Sequence, residues 1–133
     1  MKGRRSMPHL TFEYTDNIKK EADIKALLKK ANETLLRHRD IIPIGGLRTR
    51  AIELNDYCIA DGSEDDAFVH AILKLGSGRT EEDIQKISDE LFEMMKEHFS
   101  TLFEQRYLAL SLEVYEFTRP TYKHNNIHLR YKK

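Results

Sequence analysis

Cysteine is nearly absent from this chain, and the single Cys58 excludes an intrachain disulfide and a multi-cysteine metal site. Such usage suits a reducing compartment, so a cytoplasmic protein is expected. Net charge is also missing. The 22 lysines and arginines balance the 22 aspartates and glutamates, which removes the global electrostatic case for nucleic acid or an anionic membrane. No apolar run is long enough to cross a bilayer, and the basic opening of Lys2, Arg4 and Arg5 leads into no apolar h-region. Cofactor signatures are lacking as well. Gly76-Ser77-Gly78 has no third glycine at dinucleotide-fingerprint spacing, and no P-loop lysine–serine pair occurs. His124 and His128 stand four apart with no third ligand nearby, which fits a solvated tail better than a metal site. Cys58 reads as a small buried or half-buried side chain. Neither a Ser/His/Asp nor a Cys/His arrangement is indicated by spacing.

What the chain does contain is ordered alternation. At 133 residues, 40% hydrophobic and 33% charged, it makes one soluble domain, small enough that a deep cleft is better built between subunits than within one. His9 to Tyr14 alternates with strand periodicity, Leu10, Phe12 and Tyr14 sharing one face. From about Ile18 to His38 the period changes, with Ile24, Leu27, Leu28, Ala31 and Leu35 forming a helical stripe. The breakers in Pro43-Ile44-Gly45-Gly46 precede a second strand over Leu47 to Leu54, and a polar stretch from Asn55 to Asp66 links two halves. The pattern then repeats: a strand over Ala67 to Leu75, a turn, a helix opened by Thr80-Glu81-Glu82-Asp83 and running to about Phe103, and a strand over Tyr107 to Phe117.

The fold class is therefore α+β, two fused βαβ units forming a four-stranded mixed sheet with two helices on one face. Alternation on the second face is not strongly polar, Ala109, Ser111, Tyr115 and Phe117 contributing to it, which points to an oligomer. Residues 1–7 read as an N-terminal extension. Residues 8–133 read as a single domain whose last part, from about residue 118, is an arm laid on a neighbour.

Three residues are candidates for chemistry. Pro8 follows Met7 directly and leads into the first strand. Within a chain its nitrogen is an amide, and proline at the start of an edge strand needs no further explanation. If Met7 were the initiator and were removed, Pro8 would carry a free secondary amine. Terminal amines titrate near ~8, and burial or nearby cations lower that toward a base usable at neutral pH. Arg48 follows the Gly-Gly turn at the start of the second strand, and its plain reading is a solvated arginine. Arg79 lies in a glycine-rich turn at a helix N-terminus, where guanidinium, backbone N–H groups and the helix dipole together suit an anion.

The runs Met7-Pro8-His9-Leu10, Gly46-Leu47-Arg48-Thr49-Arg50, Ala60-Asp61-Gly62, Ala67-Phe68-Val69-His70 and Lys74-Leu75-Gly76-Ser77-Gly78-Arg79 resemble, in order and spacing, the 5-carboxymethyl-2-hydroxymuconate isomerase family of the tautomerase superfamily. Leu108-Ala109-Leu110-Ser111-Leu112-Glu113 and Asn125-Asn126-Ile127-His128 continue the likeness. The resemblance implies a tautomerase-like homotrimer and a cofactor-free, metal-free isomerase. Its substrate would be a small unsaturated polycarboxylate of homoprotocatechuate (4-hydroxyphenylacetate) degradation. Pro8 would be the catalytic base, with Arg48 and Arg79 binding substrate. As the chain is written Pro8 is an amide; Met1–Met7 could be an upstream mis-assigned start, a remnant of expression or a real feature of a chain without the activity, and the sharp beginning of the resemblance at Met7 favours the first two. The βαββαβ order is shared with ferredoxin-like modules. An RNA-binding version would need paired strand aromatics and a basic surface, which are not evident. A small-molecule-binding regulatory module without catalysis is the alternative.

Overall fold

The computed structural model describes residues 8–131, so the expected extension Met1–Met7 lies outside the described residues. β1 (His9–Thr15) keeps the alternation of its sequence: Leu10, Phe12 and Tyr14 are buried while His9, Thr11 and Glu13 are half-buried. β1 pairs in parallel with β2 (Arg48–Leu54) and antiparallel with β3 (Ala67–Gly76), which pairs in parallel with β4 (Leu108–Phe117). The order is β2-β1-β3-β4. Each parallel pair is one βαβ unit, and the two units join through the antiparallel β1–β3 seam.

Helices α1 (Ile24–Leu36) and α2 (Glu81–His98) cover one face. Their stripes (Leu27, Ala31 and Leu35; Ile87, Leu91 and Met95) are fully buried on Leu10, Phe12, Val69, Ala71 and Leu73, one contiguous cluster. Each large side chain buried there contributes about 1.5–3 kcal/mol. Imidazoles tie the two helices together, His38 Nε2 meeting Glu90 Oε1 at 2.8 Å and His98 Nε2 donating to the Ala22 carbonyl at 2.7 Å.

Both helices differ from the periodic reading at an end. α1 begins at Ile24, not near Ile18. A 3-10 turn, Asp16–Ile18, sinks Ile18 into the core, and Asp23 takes a left-handed conformation (φ 47°) that starts the helix afresh; aspartate is among the few residues that tolerate it. The second helix is broken at Phe99 (φ −99°, ψ 13°), and α3 (Ser100–Gln105) follows. Phe99 is 1% exposed and its amide still donates to the Met95 carbonyl, so the buried stripe runs on to Leu102 across the break. Cys58, expected at least half-buried, is exposed, because the polar 55–66 link stands away from the core.

The sheet's other face carries rows of paired side chains: Arg48, His9 and Lys74 across one end, then Arg50, Thr11, Ile72 and Glu113, then Ile52, Glu13, His70 and Ser111. Cations crowd the end at which β1 and β2 begin and β3 and β4 finish. The residues after β4 return to this end, where a 3-10 turn, Ile127–Tyr131, packs on the same chain's Ile44–Gly46 turn. Glycine is required there. A Cβ on Gly45 would lie 2.7 Å from His128 Cα.

Candidate active site

Topology, not sequence proximity, gathers the three candidates. Pro8 precedes β1 and Arg48 opens β2, while Arg79 follows the antiparallel β3; all three therefore sit at one end of the sheet. Pro8 is buried, and its carbonyl accepts a hydrogen bond from the Arg48 amide at 3.0 Å. The β1 alternation thus places Pro8 on the helix-covered side at the end of an interior strand, and His9, its neighbour, on the open face.

Both arginines hold the connector that enters β2. Arg48 donates from one guanidinium nitrogen to the Gly45 carbonyl at 2.9 Å and the Leu47 carbonyl at 3.2 Å. Arg79 is deeper, 9% exposed. Its Nε and one terminal nitrogen donate to the Ile41 carbonyl at 3.2 and 3.0 Å, and the other terminal nitrogen donates to the Gly76 carbonyl at 2.9 Å. Arg79 is thus no solvated surface arginine. Gly78 permits this inward turn with φ +109°, a conformation glycine adopts without strain. The neighbouring helix N-terminus is capped and its dipole offset: Thr80 Oγ1 accepts from the Asp83 amide at 3.0 Å, and Glu81, Glu82 and Asp83 supply negative charge in the first turn. Arg79 itself, not the helix dipole, is the cationic element there.

Reading the sequence passed over His9, Arg50 and Lys74. Arg50 donates to His9 Nδ1 at 3.0 Å. A guanidinium can only donate, so Nδ1 is unprotonated and the neutral ring carries its proton on Nε2. Burial first, then the cations Arg50, Arg48 and Lys74, hold this imidazole below the ordinary histidine value. The usable signal was strand alternation: period two puts Arg48 and Arg50 on the face that β1 gives to His9.

Two cavities flank Arg50. One, about 560 Å³, is lined by Arg48, Arg50, Asn32, Thr49, Gly45 and Tyr131, among others, with the Thr49 hydroxyl donating to the Asn32 side-chain oxygen. The other, about 710 Å³, lies on the open sheet face among His9, Arg50, Lys74, Ile72, Glu113 and Tyr115. Cations in both cavities can grip carboxylates, which suits binding of an anionic small molecule. Among the described residues no group of three or more His, Cys, Asp or Glu could hold a metal ion, and no helix is long and apolar enough to cross a membrane.

Comparison with known proteins bears on the family and the fold. The family described as 5-carboxymethyl-2-hydroxymuconate isomerase matches residues 8–131. The chain is 44% identical over 128 residues to the 5-carboxymethyl-2-hydroxymuconate Delta-isomerase of Escherichia coli, covering 95% of this chain and 100% of that one. The crystal structure of a 5-carboxymethyl-2-hydroxymuconate isomerase from Deinococcus radiodurans R1 superposes with a TM-score of 0.91 at 52% identity, over 96% of both chains. A fused 4-OT symmetric trimer shares the fold alone, with a TM-score of 0.58 at 15% identity over 83% of this chain and 87% of that one.

Proposed function

The chain belongs to the 5-carboxymethyl-2-hydroxymuconate isomerase family and is an isomerase, and we propose that it acts as a 5-carboxymethyl-2-hydroxymuconate Delta-isomerase in homoprotocatechuate (4-hydroxyphenylacetate) degradation. The observation that carries this reading is the join of Pro8 to Arg48 at the cationic end of the sheet, in a chain whose family match begins at Pro8.

The base is the Pro8 nitrogen in the form that starts at Pro8. A 2-hydroxy-dienoate gives its hydroxyl proton to this amine and becomes a dienolate. The ammonium returns the proton to a carbon of the chain, leaving a 2-oxo acid with one carbon–carbon double bond in a new position and no net redox change. Arg48 holds a substrate carboxylate through its outward N–H groups. Arg79 supplies further positive charge for the developing oxyanion and fixes the Ile41–Leu47 connector on which Arg48 rests. The same cations keep the proline amine neutral, ready to accept. The working assembly is a cytoplasmic homotrimer in which residues 8–133 form a single domain, 118–133 being its C-terminal arm; the symmetric trimer of the fold neighbour is the supporting parallel. Met1–Met7 are absent from the active form.

The test pairs intact mass with an isomerisation assay on two preparations, one beginning at Pro8 and one retaining Met1–Met7. Activity is expected only for the Pro8 start. Equal kcat/KM for the two sinks the amine mechanism.

A further inference from the structure

The 710 Å³ cavity on the open sheet face has no part in the proton transfer just described. Its wall nearest Pro8 is made by His9, Arg50 and Lys74. His9 and Lys74 are direct partners across the β1–β3 seam, and Arg50 is fixed by its hydrogen bond to His9 Nδ1. Among the described residues neither Arg50 nor Lys74 forms an ion pair with a carboxylate. The opposite wall contains two acids, Glu113 and Glu116, both on β4; the two oxygens of Glu113 are engaged, one by His70 Nε2 at 2.9 Å and the other by the Tyr115 hydroxyl at 3.0 Å. The cavity is therefore polarised. Its cationic end lies on β1, β2 and β3 toward Pro8, and its two acids lie on β4, Glu113 being held in a hydrogen-bonded group with His70 and Tyr115. Arg50 also lines the 560 Å³ cavity that contains Arg48, so it borders both cavities.

We propose that Arg50 and Lys74 form a second carboxylate subsite, which takes the distal carboxylate of a dicarboxylic or tricarboxylic substrate whose other end is held at Arg48. It rests on the function proposed above and adds the residues that select for a second negative charge. His9 is a positioning residue: its bare Nδ1 anchors Arg50, and a guanidinium so fixed loses less freedom when it binds a carboxylate bidentately. A monocarboxylate of the same length leaves these two cations without a partner.

The experiment uses the full chain in its assembled state, with adipate and hexanoate as probes, six-carbon acids that differ by one carboxylate and undergo no turnover. Calorimetric titration is expected to show adipate binding at least about tenfold more tightly than hexanoate, the scale of one charge-assisted contact. In the double variant R50Q/K74Q this ratio falls to near one, while hexanoate binding stays the same. H9N, whose amide oxygen can still accept from Arg50, keeps most of the preference, and H9L loses part of it. If the double variant fails to fold, K74Q alone, at an exposed position, reads the same ratio. A wild-type protein that binds both acids equally, or a preference unchanged in the variants, overturns the subsite. Neither acid needs a free amine at Pro8. Failure here therefore leaves the proton-transfer reading standing, and loss of the amine mechanism leaves the subsite standing.

Discussion

Replacing Arg79 with methionine separates an arginine that braces the fold from one that only meets substrate. The guanidinium is 9% exposed and makes three hydrogen bonds to the carbonyls of Ile41 and Gly76. Hydrogen bonds from a charged donor contribute roughly 1.5–3 kcal/mol each, and a buried carbonyl left without a partner costs about 1–3 kcal/mol. Against that stands the desolvation cost of a buried cation, which the methionine removes. The net loss should be about 3 kcal/mol. At roughly 3–5 °C per kcal/mol for a domain of this size, Tm falls by about 10 °C. Arg48→Met is the contrast. That side chain is only half-buried, and water can replace its bonds to Gly45 and Leu47, so its cost is under about 1 kcal/mol. Thermal melts followed by circular dichroism, run beside kcat/KM measurements, check both. R79M is expected to lose stability and rate together, and R48M rate with little change in Tm. An R79M protein melting within about 2 °C of wild type would refute the bracing argument.

The other predictions are simpler. Phe12→Ala, at a fully buried position on the central strand β1, should cost about 3–5 kcal/mol; urea denaturation showing under about 1 kcal/mol would mean that the core does not centre there. Gly45→Ala drives a Cβ to 2.7 Å from His128 Cα, so the Ile127–Tyr131 turn should lift, which limited proteolysis will show as faster cleavage in the tail. His9 should titrate below 6.5 by NMR, and R50Q should move its midpoint up. The folded protein resists a proton that the unfolded chain accepts, so this residue's contribution to stability is complete above pH 6.5 and is lost as pH falls through the lower folded value. A midpoint at or above 6.5 contradicts the cationic field at this end of the sheet.

The strands and the two amphipathic stripes were legible in the sequence because period two and period 3.6 are written directly into the order of apolar residues. That order also made plain that βαβ repeats twice and that the 55–66 stretch divides the halves. Helix ends were less legible. Asp23 and Phe99 mark starts and breaks through backbone conformation, which apolar spacing does not encode. Arg48 and Arg79 could be singled out by their turns, yet their roles could not: burial makes Arg79 a clamp on two carbonyls, and only its depth in the fold says so. Cys58 went wrong for the same reason, since a lone apolar side chain carries no periodicity to say which way it faces.

The sequence by itself determined the elements, their faces and the residue types available for chemistry. The tertiary structure decided which of those residues meet. An antiparallel seam between two parallel pairs brings the starts of β1 and β2 to the end of β3, so Pro8, Arg48 and Arg79 converge across 71 residues of chain (79 − 8). The same register sets His9 against Lys74 and within reach of Arg50. Strand alternation is local, but strand pairing is settled by burial of the whole sheet face at once, and a shift of one residue would turn every one of these side chains to the other side.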